Sequence, residues 1–107
     1  MFDEKIKFID EIKKLSNFLD KKYSSELNFR NHCYLRIAYD NVTGDRWDKQ
    51  VSKPFVKYAT MAQLESVIKK LNIYTSDKLV LIADNDNSLI FRSRYKIDNS
   101  GCEPKLF

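Results

Sequence analysis

The segment Asp3-Glu-Lys-Ile-Lys-Phe-Ile-Asp-Glu-Ile-Lys-Lys-Leu-Ser-Asn-Phe-Leu-Asp-Lys-Lys-Tyr23 decides the fold class of this chain. Its apolar residues recur at steps of three and four, which is the spacing of one face of an α-helix. Charged residues fill the other side, and the six basic residues before position 29 are balanced by six acidic ones. The segment predicts an amphipathic helix that packs within the domain. A coiled-coil arm is the weaker alternative because it needs about three or four heptads.

Two further helices are indicated by their end signals. One is predicted from about Asn31, a residue that favours the N-cap position, to about Val42, with Gly44 suited to a left-handed C-terminal position. Another begins at Thr60, because Thr60-Met-Ala-Gln63 fits a capping box. The apolar stripe behind this box consists of Leu64, Val67, Ile68 and Leu71. These patterns predict that helices dominate the chain up to about residue 72.

The segment 78–95 has two interpretations. Its two apolar runs are separated by Asp84-Asn-Asp-Asn-Ser88. They form either a helix capped by Thr75-Ser76, broken at the poor helix formers 84–88 and followed by a short helix through Arg94, or a β-hairpin. We favour the helical interpretation because helices dominate the rest of the chain. The predicted fold is therefore mainly α, a small single-domain helical bundle of about four helices; the alternative is α+β with a C-terminal β-hairpin at about 78–95.

Length and composition indicate one domain. A chain of 107 residues with 43% hydrophobic content can bury one core, and we expect it to comprise residues 1–97, with 98–107 as a flexible C-terminal tail. No apolar run is long enough to span a bilayer, and the N-terminus lacks the pattern of a secretory signal. We therefore expect a cytoplasmic protein that makes no membrane contact. The scarcity of Gly and Pro, with abundant Lys, Asn and Ile, is typical of an AT-rich genome.

The sequence contains no assembled catalytic or metal site. His32 is the one histidine, and the two cysteines, Cys33 and Cys102, are too few for a disulfide framework and too widely spaced for a zinc site. The polar run 84–88 lacks the Gly and the terminal Glu of a calcium loop. Neither a phosphate-cradling Gly-rich loop nor a serine nucleophile elbow is present. We expect no metal, no cofactor and a non-enzymatic role.

The central segment, residues 29–58, is the predicted contact surface. It has six Arg or Lys against three Asp, and so carries three of the four net positive charges of the chain. Basic side chains neutralise phosphates, and aromatic rings stack on unpaired bases, a combination typical of single-stranded nucleic-acid binding. Large aromatic residues also fill cores, and for Trp47 and Phe55 we expect core packing, whereas we expect the basic residues to be exposed.

A ladder of polar residues lies within the second predicted helix. His32, Arg36 and Asp40 are four residues apart, which places them along one side. An imidazole beside a guanidinium suits a phosphate group, with the carboxylate orienting the Arg. For the Arg36 and Asp40 pair alone we favour a surface ion pair, worth under about 1 kcal/mol. Arg92 and Arg94 would enlarge the basic surface if the fold places them beside the central segment.

These features predict a small non-enzymatic binding protein that contacts nucleic acid or another phosphate-bearing partner through its basic, aromatic central segment. The candidate contact residues are Arg30, His32, Arg36, Asp40, Arg46, Trp47, Lys49, Lys53, Lys57, Arg92 and Arg94. The alternative is a protein-interaction regulator or inhibitor that docks on a larger protein through exposed aromatic and Arg residues. The sequence leaves both alternatives open, and with them the oligomeric state.

Overall fold

Five helices form the described part of the chain, which in this computed structural model comprises residues 2–27, 29 and 31–93. The helices are α1 (Phe2–Lys22), α2 (Asn31–Thr43), α3 (Phe55–Tyr58), α4 (Met61–Ser76) and α5 (Lys78–Ser93). A short 3-10 turn, Trp47–Lys49, lies between α2 and α3. No strand occurs in these residues, so the mainly α prediction is confirmed and the alternative hairpin at 78–95 is wrong. The predicted tail, 98–107, lies outside the described residues.

The predicted end signals of α2 and α4 are present. Gly44 has a φ of 75°, the left-handed region that glycine enters without a steric penalty, and its amide donates to the Asp40 carbonyl at 2.9 Å. At the start of α4, the Gln63 amide donates to the Thr60 hydroxyl at 3.1 Å, and the Thr60 amide donates to the Gln63 side chain at 2.8 Å. This is the reciprocal capping box that the sequence predicts.

Helix α5 is longer and more regular than predicted. It runs without interruption through residues 84–88, where the sequence predicts a break. The sequence also predicts the wrong N-terminal cap for α5. Thr75 and Ser76 still belong to α4, and the cap is Asp77, whose carboxylate accepts from the Val80 amide at 3.2 Å. Asp, Asn and Ser are poor helix formers because their side chains compete for backbone hydrogen bonds. Here several of them are bonded to neighbouring helices instead, as described below.

The four long helices surround one apolar core. Helix α1 packs mainly against α4 and α2, and α5 packs against α2 and α4. The fully buried core side chains include Ile12, Leu19, Tyr34, Ile37, Leu64, Val67, Leu71, Tyr74 and Leu81. The burial of Ile12 and Leu19 agrees with the expectation that α1 packs within the domain. No helix of the described residues is long and apolar enough to cross a bilayer.

The connection between α2 and α4 contributes to the same core. Trp47 and Phe55 are almost completely buried, which confirms the expectation of core packing. The Tyr39 ring of α2 is stacked on Phe55 with centroids 3.9 Å apart, and Trp47 meets both rings edge to face. Edge-to-face contacts of this kind stabilise aromatic clusters beyond their buried area. The 3-10 turn and α3 are therefore fixed to α2 by their aromatic residues.

Candidate functional site

Asp40 is the centre of a buried polar network. Its carboxylate accepts from the Arg92 guanidinium, from the Ser88 hydroxyl at 2.6 Å and from the Trp47 backbone amide at 2.9 Å. The side chain of Asp40 is fully buried, and so is Ser88. Burial raises the pKa of Asp40, while the Ser88 hydroxyl, the Arg92 charge and the Trp47 amide oppose that rise. Asp40 thus joins α2 to α5 and to the 3-10 turn.

This network corrects the expectation of a surface ion pair between Arg36 and Asp40. Asp40 is not on the surface, and its ion-pair partner is Arg92, with Nε 2.9 Å from Oδ2. Arg36 is half-buried and donates from Nη2 to the Asn85 side chain of α5 at 2.5 Å. Two members of the predicted ladder, Arg36 and Asp40, therefore hold α5 against α2. His32, the third member, is exposed in the first turn of α2.

A second polar cluster is centred on Asp84. Its Oδ2 accepts from the Tyr74 hydroxyl at 2.6 Å and lies 3.0 Å from the Lys70 ammonium, and both of these partners belong to α4. The Asn41 side chain of α2 donates to the Asp84 carbonyl at 2.8 Å. Burial, the hydrogen bond to Asp84 and the charge of that carboxylate all raise the pKa of Tyr74. Together with Asn85 and Ser88, these contacts explain why α5 does not break at 84–88.

Not all basic residues of the central segment are exposed. Arg46 is buried and forms an ion pair with Asp48, with Nε 2.8 Å from Oδ1, so the expectation that it is exposed is wrong. Trp47 presents no face to solvent on which a base could stack, and its indole Nε1 has no hydrogen-bond partner among the described atoms. Arg92 is buried against Asp40. With Asp40, four of the predicted contact residues are therefore buried inside the fold.

The exposed part of the central segment is a lysine surface. Lys49, Lys53 and Lys57 are exposed, and the Lys57 ammonium lies 5.4 Å from the centroid of the Tyr58 ring, which is 53% exposed. His32 lies about two helical turns from Tyr39, against which α3 packs. No contact in the described structure joins it to these lysines. Arg30 and Arg94 lie outside the described residues.

The outward face of α5 was missed as a site by sequence analysis. It consists of Leu79, Ile82, Leu89 and Ile90, whose side chains are 79%, 37%, 48% and 57% exposed. These positions lie on one side of the helix, opposite the buried residues Leu81, Asp84, Ser88 and Arg92. The helix is thus inverted, with mainly polar residues inward and aliphatic residues outward. The spacing of the aliphatic residues was visible in the sequence, but a single apolar stripe is ordinarily taken as the core face.

The described residues contain no group of three His, Cys, Asp or Glu side chains arranged to hold a metal ion. Comparison of the chain with known proteins gives no match to a family model, to a curated protein or to a solved structure. The functional interpretation consequently depends on the two surfaces described above, the lysine surface and the outward face of α5.

Proposed function

We propose that the chain is a non-enzymatic binding protein that docks on another protein through the outward face of α5. The observation that carries this proposal is the exposure of four aliphatic side chains on one face of a helix whose inner face is fixed by hydrogen bonds. Exposed apolar side chains that cluster on one face, unlike singly scattered ones, mark interaction sites in folded proteins. Exposed aliphatic residues thus replace the aromatic and Arg residues that the sequence suggested for protein docking.

The rigidity of α5 supports the same proposal. Its side chains are bonded to α2 through Asp40 and Arg36, and to α4 through Tyr74 and Lys70. A helix held in this way presents its outward side chains in fixed positions, so little conformational entropy is lost when a partner binds. Helices that lay an apolar face into a partner's groove are a recurrent mode of protein recognition.

The proposal is tested by quantitative affinity capture from the source cells with three forms of the chain. We expect the double variant Leu79→Gln, Leu89→Gln to lose bound proteins that the unaltered chain retains. The matched control, Ile6→Gln with Phe18→Gln, removes exposed apolar residues from α1 and should retain them. A captured protein is then purified and its direct affinity for the three forms is measured. Equal binding by the α5 variant and the α1 control would contradict the proposal.

A second candidate function, binding of a phosphate-bearing partner, is favoured by the lysine surface. Lys53, which precedes Pro54, and Lys57, in α3, are exposed near the half-exposed Tyr58. The segment 29–58 also carries most of the net positive charge. Lysines bind phosphates through charge, and this binding weakens steeply as salt rises because counterions are released. The buried Trp47 removes the main stacking group from this candidate.

This candidate is tested by fluorescence anisotropy of labelled single-stranded and double-stranded DNA and RNA at low and moderate salt. Trp47 itself is a poor reporter because its indole is enclosed by Tyr39 and Phe55. Lys53→Ala with Lys57→Ala should weaken any binding and lower its salt dependence, whereas Lys14→Ala with Lys69→Ala, two exposed lysines elsewhere, should not. If both double variants weakened nucleic-acid binding equally, a specific lysine surface would be excluded.

A further inference from the structure

One carboxylate interrupts the outward face of α5. Asp86 is exposed and follows Leu79 by seven residues and Ile82 by four, which places it on the same side of the helix. No described residue forms a hydrogen bond or an ion pair with it. Asp84, two residues earlier, is bonded to Tyr74 and Lys70. The outward face is therefore an aliphatic stripe with one unpaired negative charge at its middle.

The spacing of this stripe is that of a heptad seam. Positions 79, 82, 86, 89 and 93 alternate by three and four residues, as the facing positions of two packed helices do, and the last of them is Ser93 at the end of α5. Asp86 occupies a facing position, where a single polar residue fixes the register of helix pairs at some loss of stability. The seam is only two heptads long, so a pair formed here depends on the pre-ordering of α5 by its inner contacts.

A partner that covers this stripe must place an opposite charge or a hydrogen-bond donor beside the Asp86 carboxylate. Burying an ionised carboxylate without an opposite charge or hydrogen-bond donor costs several kcal/mol, whereas a charge-assisted hydrogen bond offsets much of that loss. The partner surface consequently needs a cation among its apolar residues.

The α5 helix of a second copy does not meet this requirement. Paired in parallel, two α5 helices would place one Asp86 against the other, and like charges at facing positions are destabilising. Lys78, at the start of α5, is bound to Glu26 at 3.1 Å, and Arg92 is buried against Asp40.

We infer that the outward face of α5 receives an amphipathic helix of a different protein, whose apolar stripe carries a Lys or Arg opposite Asp86. This inference rests on the proposed function and specifies the partner that it requires. The aliphatic residues provide the contact area, and Asp86 selects the partner and its register. A partner helix with an acidic residue at that point is rejected because two carboxylates would be brought together in an apolar seam.

The test uses two synthetic amphipathic helices of about three heptads, identical except for Lys or Glu at the central facing position. Each peptide is titrated into the full chain while backbone and methyl NMR signals are followed. We expect the Lys peptide to shift the signals of Leu79, Ile82, Leu89 and Ile90 and to bind about tenfold more tightly than the Glu peptide. In Asp86→Lys the preference should reverse, and in Asp86→Asn it should disappear. Urea unfolding of both variants verifies that the fold is retained.

The remaining outcomes separate this inference from the proposed function. Equal binding of both peptides at α5 would overturn the need for a cation but would leave α5 as the docking surface. Absence of any shift at α5 would overturn both. A homodimer in sedimentation analysis that is lost in Leu79→Gln, Leu89→Gln would show that a second copy covers the face. Nuclear Overhauser contacts from residues 94–107 to Leu79 or Leu89 would overturn the inference, because the face would already be covered.

Discussion

The Arg92 guanidinium and the Asp40 carboxylate form a buried ion pair between α5 and α2, with Nε 2.9 Å from Oδ2 and Nη2 3.3 Å from Oδ1. Ser88 and the Trp47 amide fill the remaining acceptor positions of the carboxylate. This pair fixes which side of α5 faces inward. Leu79, Ile82, Leu89 and Ile90 face outward for that reason.

Removal of Asp40 should strongly destabilise the fold. In Asp40→Ala the Arg92 charge stays buried without its partner, and breaking a buried pair in this way costs about 3–5 kcal/mol. The free energy of unfolding in urea is the measurement. Asp86→Ala, which removes an exposed carboxylate from α5, is the matched control and should change stability by less than about 0.5 kcal/mol. A loss below about 1 kcal/mol for Asp40→Ala would argue against the buried network.

Replacing Leu81 by alanine should lower the stability of the fold strongly, whereas replacing Leu79 by alanine should hardly change it. Leu81 is fully buried, and a buried Leu→Ala change costs about 2–5 kcal/mol. Leu79 is exposed, so Leu79→Ala should leave the unfolding free energy within about 0.5 kcal/mol of the unaltered chain. Thermal and urea unfolding of the two variants provide the comparison. Similar losses at both positions would mean that the outward face is packed in solution.

The capping box should contribute measurably to α4. Thr60→Ala removes the hydroxyl that accepts from the Gln63 amide and should lower stability by about 1 kcal/mol. Thr60→Ser keeps the hydroxyl and is the matched control, for which little change is expected. Urea unfolding distinguishes the two substitutions. If both variants were equally destabilised, the loss would come from the side-chain methyl group rather than from the cap.

Stability should fall at alkaline pH because buried tyrosines are held neutral. Burial raises the pKa of Tyr39 and Tyr74 above the ordinary value of 10.0. A group with a raised folded pKa contributes its full stability below the unfolded value and loses it as pH rises beyond that value. Each such tyrosine should lower the unfolding free energy by about 1.4 kcal/mol per pH unit above pH 10.

The alkaline prediction is checked by urea unfolding between about pH 8 and pH 11. Tyr39→Phe and Tyr74→Phe should each make the decline with pH less steep. Tyr74→Phe should also lower stability at neutral pH, because it removes the hydrogen bond to Asp84. Tyr58→Phe replaces a half-exposed tyrosine and controls for the substitution itself. If the decline of stability with pH were equally steep in Tyr39→Phe and Tyr74→Phe as in the unaltered chain, ionisation of these buried tyrosines would not be its cause.

Local signals in the sequence predict the helical fold well. The stripe that includes Ile12 and Leu19, the capping box at Thr60 and the C-terminal Gly44 each depend on residues close in sequence, and each is found in the structure. The burial of Trp47 was also predictable, since large aromatic residues are costly to leave in water. Local chemistry therefore determines the main elements and much of the core.

Long-range polar contacts explain the errors. Asp40 pairs with Arg92 across 52 residues, and Asp84 binds Tyr74 and Lys70 of another helix. Such partners cannot be assigned from spacing along the chain, so the predicted break at 84–88 and the surface pair of Arg36 with Asp40 were both wrong. The inversion of α5 follows from the same contacts. Its outward stripe could be recognised as a candidate binding site only after its inner face was known.

The central claim is that α5 presents Leu79, Ile82, Leu89 and Ile90 to solvent, while Asp84, Ser88 and Arg92 are buried on its other side. The most direct test is the relaxation of leucine methyl NMR signals by a soluble gadolinium chelate. We predict strong broadening of the Leu79 and Leu89 methyl signals, and protection of Leu81, which is fully buried in the same helix. Protection of Leu79 and Leu89 equal to that of Leu81 would contradict the account, because the proposed docking surface would then not be accessible.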